Sequence, residues 1–441
     1  YLVELLRGRP EFTIWIYDQL ISRDVTELGN ASASSKIRTY VYPLTMTVKD
    51  EAGRPLINMF VKVVDASTIG QLVNAVNKTG ADGGAQVVDL RISKYPSGVL
   101  SQVPGTSYYY YVYDESGALV ATGKFELTRG ASVPATGWNV LATVRYVTEI
   151  PVKNSATRGF ILVRGVEFLD GTRKDVRIPF TVSGGVMMLG GRVPVSVEYP
   201  VEIYVTHVTL GGQEVPVKGG QYRVFSGKTT DLLSGLDFAE LGLTGLVTIQ
   251  AVDATGTPRS DWTVQVLYGD ITAAQGQGQL QAVLPRTDVL GDAYKIKVIT
   301  NAVTPDGKAL VKEQVLTLNQ KALALQIPVS TVKVTLQAVD GFGAVRNDWP
   351  VVIENVATGM GQITTELVEG QRYVARVTGL GFTNTTTFTA RSPQMVIRVK
   401  IPTAKIVAQV VDGFGKVRGD WSVQIVGVSS GQGTVGPVEV L

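Results

Sequence analysis

Three stretches of the chain align without a gap: VTIQAVDATGTPRSDW at 247–262, VTLQAVDGFGAVRNDW at 334–349 and IVAQVVDGFGKVRGDW at 406–421. Each begins with apolar residues at every second position, passes through Asp-x-x-Gly and closes on Arg-x-Asp-Trp. Period-two alternation marks a strand with one buried face. The Asp-x-x-Gly step marks a tight turn, because the carboxylate accepts backbone amides and glycine tolerates a positive φ. The stretch therefore reads as a strand, a turn and the start of a second strand, and its recurrence makes the chain a tandem β structure. Trp262, Trp349 and Trp421 lie 87 and 72 residues apart, which suits one small sandwich per repeat.

Further landmarks keep the same register. A Gly-x-Gly pair follows each tryptophan, at Gly276/Gly278, Gly359/Gly361 and Gly431/Gly433, with a four-residue loop insertion in the first copy. No helix pattern follows these glycines, so they read as bulges or tight turns and not as a dinucleotide cradle. An aromatic-led strand comes next, YKIKV from Tyr294 and YVARV from Tyr373. Upstream, VKDEAGRP at 48–55 opens a weaker copy that reaches the tyrosine-rich strand at 109–113, with its tryptophan position drifted to Met59 or Phe60. GRPEFTIW at 8–15 resembles the turn and second strand of yet another unit. The chain is thus expected to begin and end inside repeats, completed by residues outside it or by a neighbouring chain.

The fold class implied is all-β, a linear array of immunoglobulin-like β-sandwich domains. The expected division is a partial β-sandwich unit at 1–45, an immunoglobulin-like repeat at 46–130, a divergent β-sandwich domain at 131–245, two repeats at 246–332 and 333–404, and a partial repeat at 405–441. Helix is expected only in short pieces, at 67–77 and 231–241.

Composition removes several chemistries. The chain has 441 residues, 44% apolar and 18% charged, with 48 Gly, one His and no Cys, too apolar and too poor in charge for a disordered segment. Without cysteine there is no thiolate catalysis, disulfide framework, Cys-ligated zinc or iron–sulfur cluster. His207 is the sole imidazole, so no site needing two can exist, and its place in VTHV at 205–208 marks it as structural. The net charge of +3 comes from scattered basic residues, which speaks against nucleic-acid binding. No run of about 18 apolar residues is present, so no membrane insertion is expected. No catalytic motif emerges, and the chain is read as non-enzymatic.

The repeated residues are the candidate positions: Asp253, Gly256, Arg259, Asp261 and Trp262; Asp340, Gly343, Arg346, Asp348 and Trp349; Asp412, Gly415, Arg418, Asp420 and Trp421. Asp and Gly are assigned to the turn. Arg-x-Asp is assigned to a salt bridge or an Asp-to-backbone bond that fixes the strand beneath a core-closing tryptophan. No cofactor is expected. The competing reading makes calcium ligands of Asp340 and Asp348, or of Asp412 and Asp420, although calcium takes about 6–8 oxygens. Arg418-Gly419-Asp420 spells a tripeptide read by animal cell-adhesion receptors, but Ser260 and Asn347 at the middle position mark it as coincidence. The tyrosines at 108–111 and Tyr113 offer a small platform for stacking sugars, since only every second ring of a strand shares a face. Asn30, Asn77 and Asn384 head N-x-S/T triplets, glycan acceptors in an exported protein.

The Asp-x-x-Gly and Trp units, with the Pro-Gly-x-x-Tyr strand entrance at Pro104 and Tyr108, resemble tandem immunoglobulin-like or transthyretin-like repeats of carboxypeptidase-regulatory-like modules. The resemblance covers about residues 46–130 and 246–441. The tandem arrangement, the Val, Thr and Gly richness, the absent cysteine and the low charge look most like surface-layer and other cell-surface proteins of hyperthermophilic archaea. What this implies is a structural extracellular protein, the subunit of a surface layer or surface filament, self-assembling with identical subunits or neighbouring surface proteins. Strand donation between subunits is a specific form of that assembly. Two alternatives stay open: an adhesin or glycan-binding arm, and a non-catalytic accessory region of a large secreted hydrolase.

Overall fold

A computed structural model describes residues 11–16, 19–25, 41–65, 76–91, 106–127, 138–154, 157–391 and 394–441. The chain forms two compact units, Tyr1–Thr209 with Glu214–Leu243, and Leu210–Gln213 with Thr244–Leu441.

In the second unit the repeat is a seven-stranded sandwich. Its strands are Thr244–Asp253, Thr263–Tyr268, Ile271–Gln277, Gln279–Pro285, Tyr294–Val303, Ala309–Leu316 and Ala322–Val329 in the first copy. The second copy runs through Thr331–Val339, Pro350–Ile353, Ala357–Met360, Gln362–Val368, Arg372–Gly379, Phe382–Thr389 and Gln394–Lys400. In both, the first strand lies between the fourth, antiparallel, and the seventh, parallel. The second strand lies between the third and the fifth, and the sixth edges the fifth. Alternation explains the packing. Val332, Val334, Leu336 and Ala338 on the first strand are fully buried while Lys333 is exposed, and they meet Trp349, Val351, Ile353 and Tyr373 from the other sheet. Each such aliphatic burial stabilises by about 1.5–3 kcal/mol.

The two copies are stitched where Val303 of one pairs with Leu367 of the next, so a sheet runs on through the joint. The third copy contributes four described strands, Ala404–Gln409, Ser422–Ile425, Ser429–Gln432 and Thr434–Val440, paired first to fourth and second to third.

The first unit repeats this topology over Val41–Asp50, Phe60–Asp65, Asn77–Lys78, Gly84–Arg91, Thr106–Tyr113, Leu119–Leu127 and Trp138–Val144, with the same strand order in both sheets. Met59 takes the tryptophan's place, one residue before the second strand; its carbonyl accepts Thr79 N–H as the Trp349 carbonyl accepts Gly361 N–H. Downstream, eight strands between Tyr146 and Asp237 form one hydrogen-bonded sheet instead of dividing into two, seven along a single path and Tyr222–Lys228 off it against Pro200–Leu210. Register shifts at 147/149, 158/159, 163/166 and 203/204, with Gly165 at φ 61°, bend those long strands.

Three expectations change. At 231–241 the chain makes a 3-10 helix, Thr229–Ser234, and then the short strand Leu236–Asp237, because Gly235 at φ 76° ends the helix and Leu236 pairs with Val152. At 67–77 the described end, Asn77, is in a strand, and 67–75 lie outside the described residues. The N-terminal strands Glu11–Ile16 and Gln19–Val25 form a hairpin joined at Ile16 and Gln19. It precedes the next first strand by 16 residues, Val25 to Val41, close to the 15 that separate a sixth strand from the next first strand, Leu316 to Thr331 and Thr389 to Ala404. Its position is therefore that of strands five and six, not of a second strand. Among the described residues no helix is long and apolar enough to cross a membrane.

Candidate functional site at the repeat joints

The Asp-x-x-Gly step closes the same turn in each copy. Asp340 Oδ1 accepts the N–H groups of Phe342 and Ala344, both at 2.9 Å, and Asp253 and Asp412 do the same for Thr255 and Thr257, and for Phe414 and Lys416. Gly256, Gly343 and Gly415 stand at φ 82°, 86° and 78°. Asp348 is held by one edge of the Arg346 fork, Nε and Nη2 donating at 3.2 and 3.1 Å. Among the described residues no three His, Asp or Glu side chains gather around a common point.

The arginine does more than brace its own repeat. Arg259 donates through Nε and Nη2 to Asp261 at 2.9 and 2.8 Å, and its guanidinium lies 4.4 Å from the Trp262 ring centroid. Its other edge reaches into the following repeat, where Nη1 and Nη2 donate to Glu366 at 2.6 and 2.8 Å. Arg346 repeats the pattern: it stacks 4.6 Å from Trp349, pairs with Asp348 and donates through Nη1 to Glu439 of the third copy. In each receiving repeat the glutamate is fixed by the threonine that heads or precedes the first strand. Thr331 Oγ1 donates to Glu366, and Thr403 Oγ1 donates to Glu439 at 2.6 Å. Arg418 keeps the stack on Trp421 at 4.8 Å and both bonds to Asp420, and among the described residues no carboxylate meets its Nη1 edge. The arginine hydrogen bonds hold Asp261, Asp348 and Asp420 below the usual carboxylate range. Around the first joint a cleft is lined by Asp253, Arg259, Thr331, Lys333 and Glu366.

Thr244 stands where Thr331 does, but Val283 occupies the position of Glu366, since Leu246 pairs with Val283 as Lys333 pairs with Glu366. The Thr244 hydroxyl is buried without a partner. Thr331→Val should therefore destabilise by about 1.5 kcal/mol, the worth of a bond to a charged acceptor, whereas Thr244→Val should be neutral or stabilising. Urea titration of both variants checks the pair, and equal losses would contradict it.

The Gly-x-Gly pair locks the joint from beneath. Gly361 has φ 69°, and a Cβ there would sit 2.5 Å from Asn347 Cα and 2.9 Å from the Arg346 carbonyl. Gly278 and Gly433 approach Ser260 and Gly419 in the same way. Gly343 has the same kind of φ with open space around it. Gly361→Ala should cost roughly 2 kcal/mol and Gly343→Ala about 1, because only the first adds a backbone clash to the left-handed penalty. Thermal melts of the two variants distinguish a clash from a φ effect.

The other singled-out residues fall elsewhere. Tyr108 and Tyr113 are buried and Tyr110 packs on the core, leaving Tyr109 exposed and Tyr111 half-buried on the outer face. His207 lies in Pro200–Leu210 with Nδ1 3.1 Å from the Thr206 hydroxyl. Asn384 donates Nδ2 to the Lys400 carbonyl at 2.6 Å, Asn77 is half-buried in a strand beside a Thr79 hydroxyl bonded to Leu56 and Met59, and Asn30 lies outside the described residues. The Arg418 and Asp420 side chains bind each other, so that tripeptide is not displayed open.

No protein-family model and no curated protein sequence matches the chain. Among solved structures it is similar to the Bacillus anthracis TIE protein, at 10% identity over 88% of this chain and 72% of that one, TM-score 0.21. It is also similar to BcpA, the major pilin subunit of Bacillus cereus, at 10% identity over 65% and 99%, TM-score 0.19. A third is the full-length major pilin SpaD from Corynebacterium diphtheriae, at 13% identity over 66% and 97%, TM-score 0.18. At these TM-scores the likenesses carry no argument for what the chain does; its fold, an all-β series of sandwich repeats, stands on its own strands.

Proposed function

We propose that the chain is a non-enzymatic structural protein of the cell surface, the subunit of a surface layer or filament, whose sandwiches are tied end to end. One observation carries this reading: a single arginine fork joins its own repeat to the next, Arg259 to Asp261 and Glu366, and again Arg346 to Asp348 and Glu439. With the Val303 and Leu367 pairing and the Tyr373 hydroxyl donating to the Val303 carbonyl at 2.8 Å, the first joint has backbone, polar and ionic ties. Freely jointed domains need none of these. The arrangement supports a series of repeats that passes tension from one to the next better than a substrate cleft.

An antibody against the chain should label intact cells that make it, and electron microscopy of purified material should show regular assemblies. Confinement to the cytoplasm with no ordered assembly would overturn the reading. An adhesin is the second reading, favoured by the outward Tyr109 and Tyr111; a glycan array with Tyr109→Ala as control tests it.

A further inference from the structure

The two joints of the second unit share the arginine fork and differ on either side of it. At the first, the hairpin of strands five and six reaches into the next repeat. Val303 pairs with Leu367, Asn355 Nδ2 donates to the Pro305 carbonyl at 3.2 Å, and a Cβ on Gly307 would fall 2.7 Å from the Asn355 carbonyl. On the side of the Asp-x-x-Gly turn, which belongs to the other sheet, the same joint stands apart: Ala254, Thr255, Thr331 and Lys333 line a cleft of about 510 Å³. A hairpin contact of the same kind ties the first unit, where Ala118 bridges Phe168, the Gly117 carbonyl accepts Leu169 N–H at 2.8 Å and the Tyr199 hydroxyl donates to the Leu119 carbonyl at 3.0 Å.

At the second joint both sides are reversed. Gly341, the equivalent of Ala254, donates its N–H to Thr403 Oγ1 at 2.8 Å, and a Cβ there would fall 2.0 Å from the Thr403 carbonyl. Lys405, the equivalent of Lys333, holds its Nζ 5.2 Å from the Phe342 ring centroid. The turn side is therefore in contact. The hairpin side is not, because the hairpin is too short. Tyr294 pairs with Leu316 across 22 residues and the equivalent Tyr373 with Phe388 across 15, so the second hairpin has lost seven residues, roughly 12 Å of reach at about 3.4 Å per residue. A Cβ on its turn glycine, Gly381, would meet nothing within 4 Å, and neither would one on Gly427, which stands where Asn355 does.

We propose that the arginine resting on its tryptophan is the pivot of a rocking joint, with one stop at the hairpin and one at the Asp-x-x-Gly turn, and that hairpin length and the residue after the aspartate select the stop. The fork is made in both settings, Arg259 to Glu366 and Arg346 to Glu439, as a pivot requires. The long hairpin holds the first joint at one stop, and Ala254 bars the close backbone approach that Gly341 admits at the other. Packed interfaces of this kind settle in discrete arrangements and do not deform continuously. The proposal concerns the joints alone and holds wherever the protein resides.

The absence of native cysteine makes the test direct. Spin labels on full-length Thr257→Cys/Gln362→Cys chains report the first joint, and labels on Ala344→Cys/Thr434→Cys, the equivalent exposed positions, report the second. Pulsed electron paramagnetic resonance should give a shorter distance for the second pair. Gly341→Ala should lengthen it toward the first, with hydrogen exchange in the second repeat's core unchanged. Replacing residues 300–310 by the Gly-Leu-Gly-Phe of 379–382, together with Ala254→Gly, should shorten the first distance toward the second. The milder Asn355→Gly with Tyr373→Phe removes two of the hairpin contacts without shortening the chain and should broaden the first distribution.

Equal distances for the two pairs, or a Gly341→Ala chain that loses exchange protection with no change in distance, would overturn the rocking joint. A first distribution left unchanged by both hairpin variants would overturn the hairpin as its stop.

Discussion

Trp349→Ala should cost the second repeat about 3–5 kcal/mol, the range for removing a large aromatic from a packed core. The ring is 3% exposed and sits among Val332, Val351, Tyr373 and Val377. It rests directly on Gly379, where a Cβ would fall 2.5 Å from the indole, so neighbouring backbone is shaped to its plane and cannot close over the cavity without moving. The loss is compounded outside the core, because the indole is also the platform on which the Arg346 guanidinium lies. Without it the fork that reaches Asp348 and Glu439 loses its support from below. Phe342→Ala removes an aromatic ring from the turn of the same repeat, where it is 59% exposed, and should produce a far smaller change. Since a chain of several domains does not unfold in one step, hydrogen exchange resolved by repeat is the suitable readout. Equal loss of protection in both variants would show that the ring's burial is not what matters.

The sequence made the fold class legible through two patterns that do not depend on context. Period-two alternation in VTLQAV fixes which face of the strand is buried, and Asp-x-x-Gly fixes the turn chemistry wherever it occurs. The topology was legible only by comparison, once Met59 was seen to hold the position of Trp349 in a copy whose tryptophan is gone. What stayed hidden was the receiving half of the joint. Glu366 lies five residues after Gly361 and Glu439 six after Gly433, a slip produced by the register shift between Ile406 and Ala408, so an ungapped alignment does not superpose them. In the first copy Val283 holds that place, which removes the signal altogether. Thr244, Thr331 and Thr403 do recur at the repeat spacing and were the available clue, but a threonine at the start of a strand is ordinary and draws no attention. Pairwise contacts between repeats are encoded in two residues far apart in sequence, and self-comparison reveals only what each repeat shares with the others.

Glu366→Ala is the substitution that tests whether the joint couples its repeats. It removes two charge-assisted bonds from Arg259 and the bond from Thr331, and leaves the guanidinium, 22% exposed, with Asp261 alone. Removing one partner of a fully buried pair costs about 3–5 kcal/mol, and the residual solvent access here brings the expected loss to about 3. The more telling result is its distribution. The first repeat keeps its own core, and so does the second, so the lost free energy should appear as a separation of their unfolding transitions and not as a uniform shift of both. A double-mutant cycle with Arg259→Met isolates the term, which should lie between about 0.5 and 3 kcal/mol. The paired Asp261 sets the acid limit of the same joint. Its pKa is lowered from 3.8 by the arginine, so its contribution is complete above that value and is lost only as pH falls through the lower folded one. A coupling energy indistinguishable from zero would mean that the arginine fork braces each sandwich separately, and the tie between repeats would then rest on the Val303 and Leu367 pairing, the Tyr373 hydroxyl and the Asn355 amide that donates to the Pro305 carbonyl.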